Sequence, residues 1–90
     1  MTFDWDDANV AEIARHNVSR EEVEQAFAND AWDLGAEVVN DEEWYTSVGH
    51  TNLVRVLVMA WTMRGEAVRP ITAFDASLRV VKQYFTRRGF

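Results

Sequence analysis

Two side chains in this sequence, His16 and His50, are imidazoles, and an imidazole with an ordinary pKa near ~6.5 is suited to moving protons at neutral pH. His16 directly follows Arg15 at the end of a predicted helix, and it is the candidate for proton transfer. His50 falls in a predicted hairpin turn and is expected on the surface. A plainer reading stands beside the first: a histidine at a helix C-terminus can bond the last carbonyls and complement the helix dipole.

The second chemically suggestive stretch is RPITAFDASLRVVKQYF, residues 69–85, where an extended β-branched run ends at Phe74 and a helix bearing Arg79 and Lys82 follows. Residues 64–90 hold six basic side chains against Glu66 and Asp75, a balance of +4, whereas residues 1–63 hold three arginines against thirteen acids, a balance of −10. The C-terminal third alone is basic. A net charge of −6 argues against a general nucleic-acid binder and leaves room for a local phosphate site. Arg79 and Lys82 either serve such a site or only solvate a helix face.

The scaffold that must hold these groups follows from periodicity. Thr2 to Trp5 alternates as a short half-buried strand does. Asp6 or Asp7 caps a helix whose Val10, Ile13 and Ala14 recur at i, i+3 and i+4, and Asn17 and Val18 end it. Ser19 and Glu22 form a capping box ahead of a second helix, with Val23, Ala26 and Phe27 on one face, which ends near Asn29 and Asp30. A mixed segment at 32–39 predicts only a short strand at 37–39. Strands are then expected at 44–48 and 53–63, joined through Gly49-His50-Thr51-Asn52, and the apolar run 56–61 marks the second as central and covered on both faces. After a turn at 64–66, a strand over 67–74 contains Pro70, which requires an edge or a bulge. Asp75 is expected to cap the last helix, with Leu78, Val81, Tyr84 and Phe85 on its apolar face. The order β-α-α-β-β-β-α predicts an α+β fold: a mainly antiparallel sheet of about four strands, two N-terminal helices and one C-terminal helix.

Ninety residues suffice for one small domain spanning 1–90, and a hydrophobic fraction of 48% marks it as folded rather than disordered. The chain has no cysteine, which excludes disulfides, iron–sulfur clusters and thiolate metal sites. Its N-terminus is acidic and its longest apolar run falls far short of the ~20 residues of a membrane helix, so a soluble cytoplasmic protein is expected. The acids of Asp41-Glu42-Glu43 lack the glycine and ligand series of a calcium loop, and the histidines lack zinc spacing, so no metal is expected. No phosphate-binding Gly-rich loop or nucleophile elbow occurs, and no cofactor is expected.

A wider pattern runs through the chain: Phe3-x-Trp5-Asp6 with Asn9, Arg15-His16-x-Val18, Glu22, Gly49, Arg55-x-Leu57, Thr62-x-Arg64, and Arg69-x-Ile71-x-Ala73 followed by Ala76 and Tyr84. In order and spacing it resembles the BrnT family of bacterial toxins, from the first strand to the last helix. The resemblance implies a RelE-like fold, cleavage of RNA as substrate, and a cognate antitoxin that binds DNA as a ribbon-helix-helix dimer, with a toxin–antitoxin heterotetramer as the assembly.

Metal-free RNA cleavage requires a group to take the 2′-hydroxyl proton, cations for the charge on phosphorus, and an acid for the departing 5′-oxygen. By the family pattern His16, Arg55 and Arg69 are the catalytic candidates, and Arg15 and Arg64, with Arg79 and Lys82, the phosphate-binding ones; an arginine fork grips two phosphate oxygens and stays charged. Arg55 and Arg64 have a duller alternative as boundaries of a buried strand, and Arg69 as an ion-pair partner across the sheet. Three positions depart from the family: Phe74 and Trp44 stand where arginines are usual, and Val80 where an acid is usual. Trp44 and Phe74 are candidates for partner binding, in a second reading of the chain as a catalytically reduced binding module.

Overall fold

In the computed structural model, which describes residues 1–89, Asp6 accepts the Asn9 backbone N–H while the Asn9 side chain accepts that of Asp6. This reciprocal box opens helix α1, Asp7–Ala14. Ser19 and Glu22 form the same device ahead of α2, Arg20–Ala28, as their spacing predicts. Between the helices Asn17 adopts a left-handed φ of 59°, which turns the chain at the predicted place.

Four antiparallel strands follow in simple meander order: β1 Trp32–Val39, β2 Glu42–His50, β3 Val56–Arg64 and β4 Ala67–Asp75. Asn40 and Asp41, with φ of 51° and 63°, make the tight β1–β2 hairpin whose twist suits its strands. The fold is the expected α+β arrangement, with β3 inside the sheet, and its observed order is α-α-β-β-β-β-α. The predicted strand at Thr2 to Trp5 is instead one parallel bridge, Phe3 to Val68, flanked by bonds from Asp4 N–H to the Val68 carbonyl and from Val68 N–H to the Thr2 carbonyl. The fourth strand is β1, where only 37–39 is expected. Its residues 33–38 are exposed on both faces, so no burial alternation marks them in the sequence. The β2–β3 turn lies later than predicted, because Thr51 bonds across it to Arg55 and Val54 and so keeps Gly49 and His50 in β2.

One face of the sheet carries Leu57, Met59 and Ala73 and receives Ile13, Val18, Val23 and Ala26 from the helical side, with Trp5 and Phe27 at its margin. The close approach depends on Gly49, where a Cβ would lie 2.3 Å from the Ala26 carbonyl oxygen. The alternating residues Val48 and Val56 face the other way and meet the third helix, α3 Leu78–Arg88, through Tyr84, Val80, Val81 and Phe85. Two details of α3 differ from expectation. Ser77, not Asp75, caps it by accepting the Val80 N–H, because Asp75 is still in β4 and is held by Arg55. Leu78 is 70% exposed, and Val80 packs in its stead.

Pro70 satisfies both predicted conditions. It lies in edge strand β4, and the pairing passes from Ala60–Thr72 to Trp61–Pro70, which leaves Ile71 as an extra, bulged residue.

Candidate active site

The bulge sets the site. Residues three apart on a regular strand point to opposite faces, but the extra residue lets Arg69, paired with Thr62, share a face with Thr72, paired with Ala60. Phe74, paired with Val58, continues the same row. Helix α1 runs along this strand. Its N-cap Asp6 holds Arg69 at 3.0 Å, and in its last turn Glu12 accepts the Thr72 hydroxyl at 2.9 Å. Asn9, buried between these points, donates to the carbonyls of Asp4 and Pro70 and locks the helix to the bulge.

At the C-terminal end of this seam Glu12 is the hub. Arg15 Nη1 lies 2.9 Å from one of its oxygens and His16 Nε2 lies 3.4 Å from the other, the i+3 and i+4 placements on a helix. The Thr72 hydroxyl, and then the Arg15 guanidinium, keep the Glu12 carboxyl below the usual carboxylate range against the opposing cost of desolvation. The His16 ring also lies beside Phe74, with centroids 5.9 Å apart. Its side chain therefore does not bond the helix carbonyls; the backbone N–H of His16 takes that task, donating to Ile13. Sequence reading missed Glu12, although the spacing Glu12, Arg15, His16 was the available signal. The cluster combines a proton carrier, a carboxylate that orients it, a cation that is 73% exposed, and an aromatic surface.

Arg55 sits behind His16 rather than beside it. Nε and Nη2 donate to the two Asp75 oxygens at 2.7 and 3.1 Å, Nη1 to both Glu22 oxygens and the Asn17 carbonyl, and Nη2 also to the His16 carbonyl. Its fork is fully occupied. The Asp75 hydrogen bond raises the Arg55 pKa, and Arg55 in turn lowers that of Asp75. Burial pushes Glu22 up, but the Ser19 N–H and Arg55 outweigh it and its pKa is lowered. The result is a clasp across the α1–α2 turn, the β3 entry and the β4 exit.

The structure gathers Arg15, His16 and Phe74 around Glu12, and places Arg69 along the same seam with its side chain 18% exposed and paired to Asp4 and Asp6. Arg64 lies elsewhere, in an ion pair with Glu42, whose other oxygen accepts the Trp44 indole N–H at 2.8 Å. Trp44 shares a sheet face with Phe74, but is displaced by four positions along β3 and lies two strands away, so the two do not form one patch. Arg79 and Lys82 are exposed on α3. Among the described residues they and Arg87, which lies 4.9 Å over the Trp32 ring, enter no ion pair, whereas the remaining arginines all do. His50 is not the surface turn residue expected: it ends β2, half-buried, with Nδ1 2.8 Å from the Tyr84 hydroxyl. Burial lowers its pKa, with Arg88 adding to the effect.

The site as a whole is a histidine–carboxylate–arginine cluster at the edge of an antiparallel sheet with helices on both faces. The chain belongs to the BrnT family: residues 5–79 match the model of the ribonuclease toxin, BrnT, of type II toxin–antitoxin system. A family of that kind implies an antitoxin partner. No curated protein matches the chain. Among the described residues no helix is long and apolar enough to cross a membrane.

Proposed function

We propose that the chain is a cytoplasmic, metal-independent endoribonuclease that inhibits translation by cutting RNA. Its antitoxin is a ribbon-helix-helix DNA-binding protein, and the two assemble as a heterotetramer on an antitoxin dimer. The observation that carries the reading is the convergence of Glu12, Arg15, His16 and Phe74 at the end of the α1–β4 seam in a chain of this family.

In the reaction the 2′-oxygen attacks the adjacent phosphorus as its proton leaves. The bond from phosphorus to the 5′-oxygen breaks, and that oxygen takes up a proton, giving a 2′,3′-cyclic phosphate and a 5′-hydroxyl. His16 carries one of these two proton transfers, its ring oriented by Glu12. Arg15 and Arg69 meet the charge that grows on the phosphate, and Phe74 offers a ring for base stacking. Arg55 acts as a positioning residue: its bond to the His16 carbonyl fixes the turn from which the imidazole projects. Arg64, Arg79 and Lys82 hold phosphates on either side of the cut.

The test is incubation of purified, nuclease-free protein with a synthetic RNA in EDTA, beside the same strand carrying 2′-deoxyribose. The RNA is expected to be cut to cyclic-phosphate ends and the deoxy strand to remain whole. His16→Ala should slow cutting by about 10²–10⁴-fold, the usual worth of a positioned proton carrier. Replacing Arg79 and Lys82 by glutamine should weaken binding of uncut analogues to all sequences alike and flatten the log–log salt slope by roughly 1.4. Intact RNA at high concentrations of folded protein sinks the proposal.

A further inference from the structure

The two edges of the sheet are finished differently. At β4 Pro70 removes a donor, Ile71 bulges, backbone bonds from Thr2 and Asp4 occupy Val68, and α1 packs along the strand. These devices close that edge. β1 pairs with β2 on one side, and among the described residues no strand pairs with the backbone groups of its other side. Its sequence, WDLGAEVV, has neither the proline nor the lysine that usually blunts an edge, and its one interruption is a register shift between Asp33 and Gly35. Residues 33–38 are exposed, with Leu34 at 50% and Val38 at 71%.

We propose that β1 is the docking edge for the antitoxin, an extended segment of which adds to the sheet as a fifth strand, alternating apolar and basic side chains. The charge of the edge selects the occupant. Asp33 and Glu37 lie on β1, Asp41 in its hairpin and Glu43 opposite Val38 on β2, and none of the four is in an ion pair among the described residues. A second copy of the chain would bring these acids close together: antiparallel β1–β1 pairing centred on Gly35 sets Asp33 of each copy opposite Glu37 of the other, and like charges across strands are destabilising. A basic segment gains from the same acids. Main-chain bonds supply affinity in this mode and alternate side chains supply specificity. At the start of the edge Trp32, Leu34, Val48, Val80 and Tyr84, with Gln83 and Arg87 at its polar side, line a cleft of about 100 Å³, room for one side chain of the added strand.

This inference deepens the antitoxin pairing implied by the family and does not depend on RNA cleavage. The probe is the antitoxin obtained by co-expressing the chain with its adjoining small reading frame, and the readout is hydrogen exchange of the chain alone and in the complex. Amides within 33–38 are expected to exchange roughly ten-fold or more slower in the complex. The double variant Leu34→Lys, Val38→Lys, and separately Glu37→Lys, should raise the antitoxin Kd by at least about ten-fold, equivalent to ~1.4 kcal/mol, while each free variant melts and cuts RNA as the parent does. Protection confined to α3 or the α1–β4 seam, with β1 exchanging as in the free chain, overturns the proposal. So does protection of β1 that grows with concentration without antitoxin, which would make a second copy the occupant. Absence of RNA cleavage by the parent would sink the ribonuclease reading and leave this readout untouched.

Discussion

Arg55 shows how one side chain can tie three segments of the chain together. It was expected at the scissile phosphate, and the structure spends its donors on Asp75, Glu22 and the carbonyls of Asn17 and His16. Removing it leaves two carboxylates and two carbonyls without their donor, in a site where the arginine is 25% exposed. After discounting for solvent, Arg55→Ala should lower stability by about 2 kcal/mol, read as a fall of roughly 10 °C in Tm. Arg55→Lys should recover little, because an ammonium cannot span the fork. Unchanged melting of Arg55→Ala would mean the clasp contributes nothing. Glu12 is the converse case: it drew no notice in the sequence, yet it organises Arg15, His16 and Thr72.

Among the elements, α2 and β2 meet at a point where only glycine fits. A Cβ at Gly49 would lie 2.3 Å from the Ala26 carbonyl oxygen, so Gly49→Ala forces backbone to move rather than a flexible side chain. A loss of about 1–3 kcal/mol is expected, measured as a lower denaturant midpoint with an unchanged slope. Gly35→Ala, with nothing within 4 Å of the new methyl, serves as the control and should leave the midpoint nearly in place. Element identity was legible where a chemical device marks it. The Ser19–Glu22 capping box, the cap at Asp6, the Pro70 constraint and the apolar run of β3 all appear in the structure where the sequence put them, while the reciprocal bond from Asn9 back to Asp6 emerged only there. β1 was not legible, because a strand exposed on both faces has no alternation to read. The N-terminal segment misled for the opposite reason: Phe3 and Trp5 alternate for burial against Phe27 and the helices, without a ladder beyond one bridge.

For the molecule as a whole, the shifted groups that titrate on the acid side of neutrality act in one direction. Asp6, Glu12, Glu22, Glu42 and Asp75 all have pKa values below their ordinary 3.8 to 4.5, so the unfolded chain binds their protons more tightly and the stability they contribute is lost as pH falls below about 4.5. His50, with its pKa pushed below 6.5 by burial near Tyr84, Arg88 and Asp30, is favoured neutral in the fold and adds a loss that begins just under pH 6.5. Melting followed from pH 8 to pH 3 should therefore decline gently at first and steeply below about pH 4.5. His50→Gln should remove the upper part of the decline, and a flat profile down to pH 3.5 would refute both assignments.

The amino-acid sequence carried the composition, the capping devices, the strand constraint at Pro70 and the spaced residues that resemble the family, because each of these is written within a few positions of chain. Tertiary structure settled which acids hold each cation. Arg55 and Arg69 were expected as catalytic groups, with an ion pair across the sheet as the alternative for Arg69, and the acids that engage them, Glu22 and Asp75 for the one and Asp4 and Asp6 for the other, lie 20 to 65 residues away in the chain and meet them only through folding. It also turned Arg69 toward Thr72 through a one-residue bulge, set Phe74 against His16, and left β1 as the open edge. Those outcomes depend on register and on contacts between distant segments, which local patterns do not encode.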